Sequence, residues 1–192
     1  MLYTRKGDSG TTKVFGCDQR LSKSSSIAEA LGALDEINSF LGIIKTHTDV
    51  SKISVLGTTS GEEGGKNLFL SKIIHTVQEN LFIIQAEVAG AEKHLSDDAV
   101  KEIETLVDTI EKILPPIKTF FISGGTSIAA HLDTARTMAR RAERRVVAVG
   151  EEGTVKVSAQ TLAYLNRLSS LLYALARLGN HLSGITEQSP KY

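Results

Sequence analysis

Apolar residues recur along most of the chain at the mixed three- and four-residue steps of an amphipathic helix. The stripes occupy five stretches, which are about residues 27–46, 67–92, 96–114, 128–149 and 162–175. The third stretch begins at Ser96, a favourable N-cap residue, and stops at Pro115-Pro116 because proline cannot continue a helix. Five amphipathic helices without a convincing strand pattern predict an all-α helical bundle.

Four stretches fall outside this helical pattern. Residues 57–66 hold four glycines and no apolar side chain, which predicts a flexible surface loop. Residues 115–127 form a connection, and the polar tail after Gly184 is expected to fray. Residues 1–26 lack the apolar periodicity of an amphipathic helix. The length of the chain predicts a single domain over residues 1–192.

Composition narrows the classes of partner. The 192 residues balance 22 Lys and Arg against 22 Asp and Glu, which argues against nucleic acid or an anionic membrane as a partner. The single cysteine, Cys17, excludes an internal disulfide and a Cys-rich zinc or iron–sulfur site. The histidines lack HExxH spacing, which argues against a zinc hydrolase, and no residue of the chain is predicted to be a metal ligand. The absence of a long apolar run or a targeting pattern predicts a cytoplasmic protein, or a mitochondrial-matrix protein whose presequence has been removed.

The segment TRKGDSGTT, residues 4–12, has the composition of a phosphate-binding loop. Its two glycines allow backbone N–H groups to converge on an anion, while its two cations add charge and its hydroxyls add donors. Asp8 could position a divalent metal through water. The segment lacks the GxxxxGK[ST] pattern of a Walker A loop, and a turn that is merely polar is an equal alternative at this point.

Residues 136–145, RTMARRAERR, contain five of the nine arginines of the chain. On a helix, Arg136, Arg140 and Glu143 lie on one face beside an apolar stripe. The planar guanidinium suits phosphate and carboxylate groups, so Asp35, close to the stripe of the first helix, is a candidate partner. A solvated basic face and an unpartnered Asp35 are the alternatives.

Together these motifs resemble the ATP:cob(I)alamin adenosyltransferases of the propanediol-utilisation and human methylmalonic-aciduria type. The matching pieces, in the order of that family, are TRKGDSGTT at 4–12, Lys23, EALGALDEINSFLG at 29–42, FFISGGT at 120–126, ARTMARRAER at 135–144 and YLNRLSSLLYALAR at 164–177. The resemblance implies a ferritin-like, up-down five-helix bundle with an extended N-terminal ATP-binding segment. It also implies a homotrimer with active sites between subunits.

The resemblance implies transfer of the 5′-deoxyadenosyl group of ATP to the cobalt of cob(I)alamin or a related corrinoid, with Mg²⁺ assisting. The residues that it places around ATP are Thr4, Arg5, Lys6, Gly7, Asp8, Thr12, Lys13, Lys23, Arg136, Arg140, Arg141, Glu143, Arg144 and Asn166. It implies that Asp35 pairs with Arg140 at the subunit interface. Phe120 would abut the lower face of the corrinoid and displace its lower axial base. Cobalt(I) is a strong nucleophile, so the reaction needs no Ser/His/Asp constellation.

This chain departs from the family pattern at three positions. Leu31, Ser123 and Ser170 stand where the family usually has tyrosine, proline and aspartate. None of the three belongs to the implied phosphate ligands, so they bear on corrinoid affinity more than on the reaction class. Expected protein partners are a cobalamin reductase and an adenosylcobalamin-dependent enzyme. The alternatives are a non-catalytic corrinoid- or nucleotide-binding bundle, and a structural helical protein whose arginine helix binds an acidic partner.

Overall fold

A computed structural model describes residues 3–14, 19–56 and 67–191 of the chain. Five α-helices dominate it, namely α1 (Ser26–Lys45), α2 (Leu70–Val88), α3 (Asp97–Glu111), α4 (Ser127–Glu152) and α5 (Ala159–Leu182). The remaining elements are a 3-10 helix (Thr48–Lys52) and the strands β1 (Thr11–Lys13), β2 (Arg20–Ser22), β3 (Ser54–Leu56) and β4 (Asn67–Phe69). The predicted five-helix fold is confirmed. Of the helices described, none combines the length and the apolarity that crossing a membrane requires.

Side-chain caps determine where four of these helices begin. Ser25, Ser96, Thr126 and Ser158 have extended backbones, and each side chain accepts a hydrogen bond from the N–H three residues further on. Each cap satisfies one of the N–H groups that a first helical turn leaves without an intrahelical partner. The cap expected at Ser96 is therefore confirmed.

The buried side chains of the helices meet in one hydrophobic core. Helix α4 packs against both α1 and α5, while α2 packs on α1 and α3 packs on α5. The inward face of α4 contains Ala135, Ala139 and Ala142, all fully buried. Because these side chains are small, the neighbouring helices can approach α4 closely. The arginines of α4 therefore project from its outer faces, beside α1 and α5.

Glu87 fixes the start of α5 against the end of α2. Its carboxylate is 1% exposed and accepts hydrogen bonds from the Ser158 N–H at 2.5 Å and the Thr161 hydroxyl at 2.6 Å. A buried carboxylate requires such donors, because burial removes the water that would otherwise solvate it. This anchor holds the helix that carries Asn166 in a fixed position.

The four strands are a feature that the sequence pattern did not predict. Strands β1 and β2 form one antiparallel pair, and β3 and β4 form another with Ser54 opposite Phe69. Three residues are too few to show the alternation that marks a strand. As a result, β4 occupies the start of the segment 67–92 that was expected to be helical throughout. The loop expected at 57–66 lies outside the described residues.

The expectation that the tail after Gly184 frays is wrong for residues 185–188. The Ile122 N–H donates to the Gln188 carbonyl oxygen at 2.8 Å, and the Ile185 N–H donates to that of Asn180 at 3.0 Å. The Glu187 carboxylate accepts from Arg177 Nε at 2.9 Å. Arg177 is only 4% exposed and its charge needs a partner, which this tail provides.

Candidate functional site

Residues 4–10 form a largely exposed, tightly turned loop that leads into β1. The Asp8 N–H donates to the Arg5 carbonyl at 3.3 Å, and the Gly10 N–H donates to the Gly7 carbonyl at 3.1 Å. Arg5 has a φ of 58°, a left-handed conformation that non-glycine residues adopt at a cost in free energy. Strained backbone of this kind is common at functional sites, which supports the interpretation of the segment as a binding loop.

Lys23 joins this loop from the far end of the β1–β2 hairpin. Its N–H donates to the Gly10 carbonyl at 3.0 Å. Its Nζ lies so close to Gly7 that a Cβ on that residue would be 3.3 Å away. The structure therefore brings the predicted residues Lys23 and Gly7 together, and a side chain at position 7 would crowd the ammonium group. Thr4, Lys6, Asp8, Thr12 and Lys13 lie in the same loop and the strand that follows it.

Arg20 is a residue of this hairpin that sequence reasoning missed. Its guanidinium donates from Nε to Thr11 Oγ1 and from Nη2 to the Thr11 carbonyl, both at 2.8 Å. The same Nη2 also donates to the Lys6 carbonyl. No motif reveals these contacts in the sequence, because they depend on the strand register that places Lys13 opposite Arg20.

A second cluster, which we call the arginine groove, lies on the outer faces of α4 and α5. Arg140, Glu143, Arg144 and Asn166 line this groove of about 280 Å³. Within it Asn166 Nδ2 donates to Glu143 Oε1 at 3.0 Å, and Arg144 Nη1 donates to the Arg140 carbonyl at 3.0 Å. The structure thus brings together four residues that the family resemblance implies for one site.

The remaining arginines of the cluster face α1. Arg141 forms an ion pair with Glu36, and Arg145 Nη2 lies 3.6 Å from Glu29 Oε2. Asp35 is exposed and makes no ion pair with Arg140 among the residues that the structure describes. The acidic partners that α1 offers to α4 within the chain are therefore Glu29 and Glu36, and the expected Asp35–Arg140 pair does not form there. Arg141, predicted to bind ATP, pairs with α1 in this structure.

A larger cavity of about 610 Å³ adjoins the arginine groove. Its walls are the loop of residues 117–123, parts of α4 and α5, and the tail at Glu187. Phe120 lines this cavity and is 78% exposed, although the burial of a large apolar side chain is energetically favourable. Arg140 lines both the cavity and the groove, and it therefore marks the junction between them.

The loop that carries Phe120 is fixed at its glycine end by α5. Asn180 Nδ2 donates to the Gly124 carbonyl at 2.8 Å, and Asn180 Oδ1 accepts from the Thr126 N–H at 2.9 Å. A Cβ on Gly125, whose φ is +98°, would collide with this amide group. Glycine is therefore required at position 125, both for the backbone conformation and for the close approach of Asn180.

Arg136 and Tyr173 form the polar part of the cavity wall. Arg136 Nε lies 3.5 Å from Asp133 Oδ1 in an ion pair, and the guanidinium carbon lies 5.9 Å from the centre of the Tyr173 ring. Arg136 Nε is nevertheless buried without a hydrogen-bond acceptor in the described structure. Burial raises the pKa of the Tyr173 hydroxyl, so this group stays protonated at neutral pH and can donate a hydrogen bond.

The chemistry available here is electrostatic and positional. The loop offers cations and hydroxyls, the groove offers arginine and asparagine, and the cavity offers aromatic surface with a protonated tyrosine. Among the described residues, no group of three or more His, Cys, Asp or Glu could hold a metal ion. The arrangement suits a polyanion bound beside a bulky, largely apolar ligand.

Comparisons with known proteins show which family the chain resembles. Residues 2–179 match the family model described as cobalamin adenosyltransferase. The chain is 36% identical over 188 residues to a corrinoid adenosyltransferase of Bacillus subtilis, covering 96% of this chain and 89% of that protein. It is 34% identical over 187 residues to corrinoid adenosyltransferase PduO of Citrobacter freundii, where 94% of this chain matches. The chain spans about half the length of that PduO protein, 50%.

Human and structural relatives give the same result. Corrinoid adenosyltransferase MMAB of Homo sapiens is 32% identical over 193 residues, which cover 97% of this chain and 72% of that protein. A variant PduO-type ATP:corrinoid adenosyltransferase from Lactobacillus reuteri, solved with cobalamin and ATP, superposes with a TM-score of 0.84. The superposition covers 100% of this chain and 97% of that one at 27% sequence identity.

Proposed function

The chain belongs to the cobalamin adenosyltransferase family, and from that premise we propose that it transfers the 5′-deoxyadenosyl group of ATP to the cobalt of a reduced corrinoid. The observation that carries the proposal is the position of Arg140, which lines both the polar groove and the aromatic cavity. A nucleotide in the groove and a corrinoid in the cavity would meet at this residue. The similar Lactobacillus reuteri protein was solved with cobalamin and ATP together.

The reaction needs no protein nucleophile. The cobalt(I) electron pair forms the new bond to C5′ of ATP, the C5′–O bond breaks, and its electron pair leaves with the triphosphate. Cobalt(I) thereby becomes cobalt(III). The tasks of the protein are to align C5′ with cobalt, to stabilise the charge that develops on the triphosphate, and to exclude water.

The N-terminal loop and the arginine groove are suited to the ATP half of this reaction. Arg5, Lys6 and Lys23 bring three cations to one hairpin, and Arg140 and Arg144 bring two more on α4. The single loop carboxylate, Asp8, is exposed and suits a Mg²⁺ ion held mainly by phosphate oxygens and water. Mg²⁺ bound there would neutralise part of the triphosphate charge.

The cavity is suited to the corrinoid half. Phe120 and Ile122 are 78% and 59% exposed on the loop that borders it. The flat face of a corrin ring would bury these side chains, and the burial of their apolar surface would stabilise the complex. With Phe120 against its lower face, the corrinoid would lose its lower axial base, and a four-coordinate cobalt is easier to reduce.

The proposed ATP site draws on two separate elements of the chain, the N-terminal loop and the arginine groove of α4 and α5. No described hydrogen bond or ion pair joins Arg5, Lys6, Asp8 or Lys23 to Arg140, Glu143, Arg144 or Asn166. We therefore propose that the loop of one subunit meets the arginine groove of the next in a homotrimer. Any pair between Asp35 and Arg140, both exposed, would likewise join two subunits. A reductase that supplies cobalt(I) and an enzyme that uses adenosylcobalamin are the protein partners that this chemistry requires.

An anaerobic spectroscopic assay tests the activity. Wild-type protein mixed with MgATP and chemically reduced cob(I)alamin is expected to show the absorbance change of Co–C bond formation, with triphosphate released in equal amount. Arg140→Ala should slow turnover about 100-fold, because it removes charge where the leaving group develops it. Arg145→Ala, which deletes an arginine outside the groove, should turn over normally.

The same assay separates the alternatives. ATP binding measured by calorimetry without any Co–C bond formation under verified anaerobic conditions would indicate a non-catalytic nucleotide-binding bundle and refute the transferase. Absence of both ATP and corrinoid binding would favour the structural interaction protein.

A further inference from the structure

Arg20 is the first residue of β2, and its guanidinium contacts the N-terminal segment at two separate places, Lys6 and Thr11. We propose that Arg20 is a positioning residue that holds residues 6–11 in their phosphate-binding conformation and acts on ATP only through that loop. The proposal rests on the proposed function, since it presumes that residues 4–13 bind the triphosphate. It assigns a role to a residue that neither the motifs nor the family resemblance singled out.

The contacts of Arg20 close the loop. Nη2 donates to the carbonyls of Lys6 and Thr11, while Nε donates to the Thr11 hydroxyl at 2.8 Å. One planar group therefore joins the two ends of the segment 6–11. Arginine suits this task because its donors form a rigid fork, whereas the single ammonium of lysine has no such geometry.

The loop needs such a tie because its local interactions are weak. Only two single-turn backbone hydrogen bonds, at 3.3 and 3.1 Å, lie within the described loop before β1, and Arg5 has a φ of 58°. A strained conformation persists only when surrounding contacts over-determine it. The Lys6 carbonyl has no hydrogen-bond donor other than Arg20 among the described residues.

The same geometry argues against direct phosphate binding by Arg20. Nε and Nη2, which form one edge of the guanidinium, both donate to Thr11, and Nη2 also donates to the Lys6 carbonyl. An arginine that binds phosphate bidentately needs a free edge. Arg20 is half-buried, whereas Lys6 and Lys23 are exposed and available to an anion. Preorganisation of the loop lowers the ordering cost that ATP binding would otherwise bear.

Arg20→Lys and Arg20→Gln separate geometry from charge. Both variants should raise the KM for ATP about tenfold, because a tenfold change in affinity corresponds to the free energy of about one hydrogen bond that orders the loop. The kcat should change less, and the KM for the corrinoid should stay unchanged. Arg145→Lys and Arg145→Gln are the matched controls, because Arg145 pairs with Glu29 on α1 outside the loop. They should leave both KM values unchanged.

Hydrogen–deuterium exchange measured without ATP distinguishes the two roles of Arg20. If Arg20 only bound phosphate directly, its substitution would leave the exchange of the loop amides unchanged. In both Arg20 variants the amides of residues 6–11 should exchange faster than in wild type, while the amides of α4 and α5 exchange as before. Unchanged exchange with a raised KM for ATP would identify Arg20 as a direct phosphate ligand and overturn the proposal. A normal KM in both variants would also overturn it.

Failure of the transferase activity would be distinguishable from failure of this inference. If wild-type protein forms no Co–C bond, the dissociation constant for MgATP, measured by calorimetry without corrinoid, replaces KM. A rise of about tenfold in that constant, together with faster loop exchange, would still support the role of Arg20. If wild-type protein does not bind MgATP, the loop is not a triphosphate site and the inference fails.

Discussion

Asn180 illustrates how one side chain organises the cavity. Both ends of its amide are used, with Nδ2 donating to the Gly124 carbonyl and Oδ1 accepting from the Thr126 N–H. Asp133 Oδ2 accepts from the Gly124 N–H at 3.3 Å and completes the attachment of this loop. Because Asn180 is only 7% exposed, water cannot easily replace these partners.

We expect Asn180→Ala to lower the free energy of unfolding by about 2 kcal/mol, since it leaves the Gly124 carbonyl and the Thr126 N–H without their partner. It should also raise the KM for the corrinoid, because the loop that carries Phe120 loses an attachment, while the KM for ATP stays constant. Urea unfolding and steady-state kinetics measure both effects.

Asn80→Ala is a matched control, because Asn80 donates to the Tyr164 hydroxyl at 3.1 Å and does not line the cavity. This variant should lose stability with that hydrogen bond, but its corrinoid KM should equal that of wild type. Equal corrinoid KM values in wild type and Asn180→Ala would contradict the role assigned to the amide.

At the scale of elements, the tail of residues 185–188 acts as a strap across the cavity wall. Arg177 connects three parts of the chain, since it donates to Glu187 and to the Pro115 carbonyl at 3.0 Å and lies 5.1 Å from the Phe121 ring centre. The strap contributes Glu187 to the cavity lining. The strap is therefore held both by α5, through Arg177, and by the loop before α4, through the hydrogen bond of Ile122.

Glu187→Ala should release this strap. Arg177 would keep its charge and lose its carboxylate, at a cost of about 2 kcal/mol in the free energy of unfolding, and the Ile122 amide should exchange faster because its acceptor lies on the strap. Glu151→Ala is the control, since Glu151 is exposed on α4 and has no described ion pair. Identical melting and Ile122 exchange in both variants would show that the strap does not depend on Glu187.

The sequence pattern predicted the helices more accurately than the strands. The stripe predicted to end near Thr46 became α1, which ends at Lys45 with Thr46 as its C-cap, because helical periodicity persists over many turns. The second helix was expected to begin at about residue 67, but α2 begins at Leu70, because residues 67–69 pair with β3 in an antiparallel sheet. The pairing of β3 with β4 depends on residues that are distant in the chain, so a local sequence pattern could not predict it.

At the scale of the whole molecule, the proposed site is divided between the N-terminal loop and the arginine groove. Lys6→Ala should inactivate the first half and Arg144→Ala the second. If the halves meet between subunits of the proposed homotrimer, assemblies formed from equal amounts of the two variants should regain about a quarter of wild-type activity, because one site in four pairs an intact loop with an intact groove.

The control for this complementation is the double variant Lys6→Ala/Arg144→Ala mixed with either single variant, which offers no such pairing and should stay inactive. Recovery absent from the mixture of single variants, despite subunit exchange verified by mass spectrometry, would place both halves of the site in one chain.

The five helices, the N-terminal loop and the clustering of Arg140, Glu143 and Arg144 could be predicted from the sequence, because these features depend on residues close together in the chain. Three contacts became visible only in the folded chain: Arg20 with Lys6, Asn180 with Gly124 at a separation of 56 positions, and Arg141 with Glu36 rather than with Asp35. These contacts follow from helix packing and strand register. Both are satisfied by the chain as a whole, so a local pattern does not encode them.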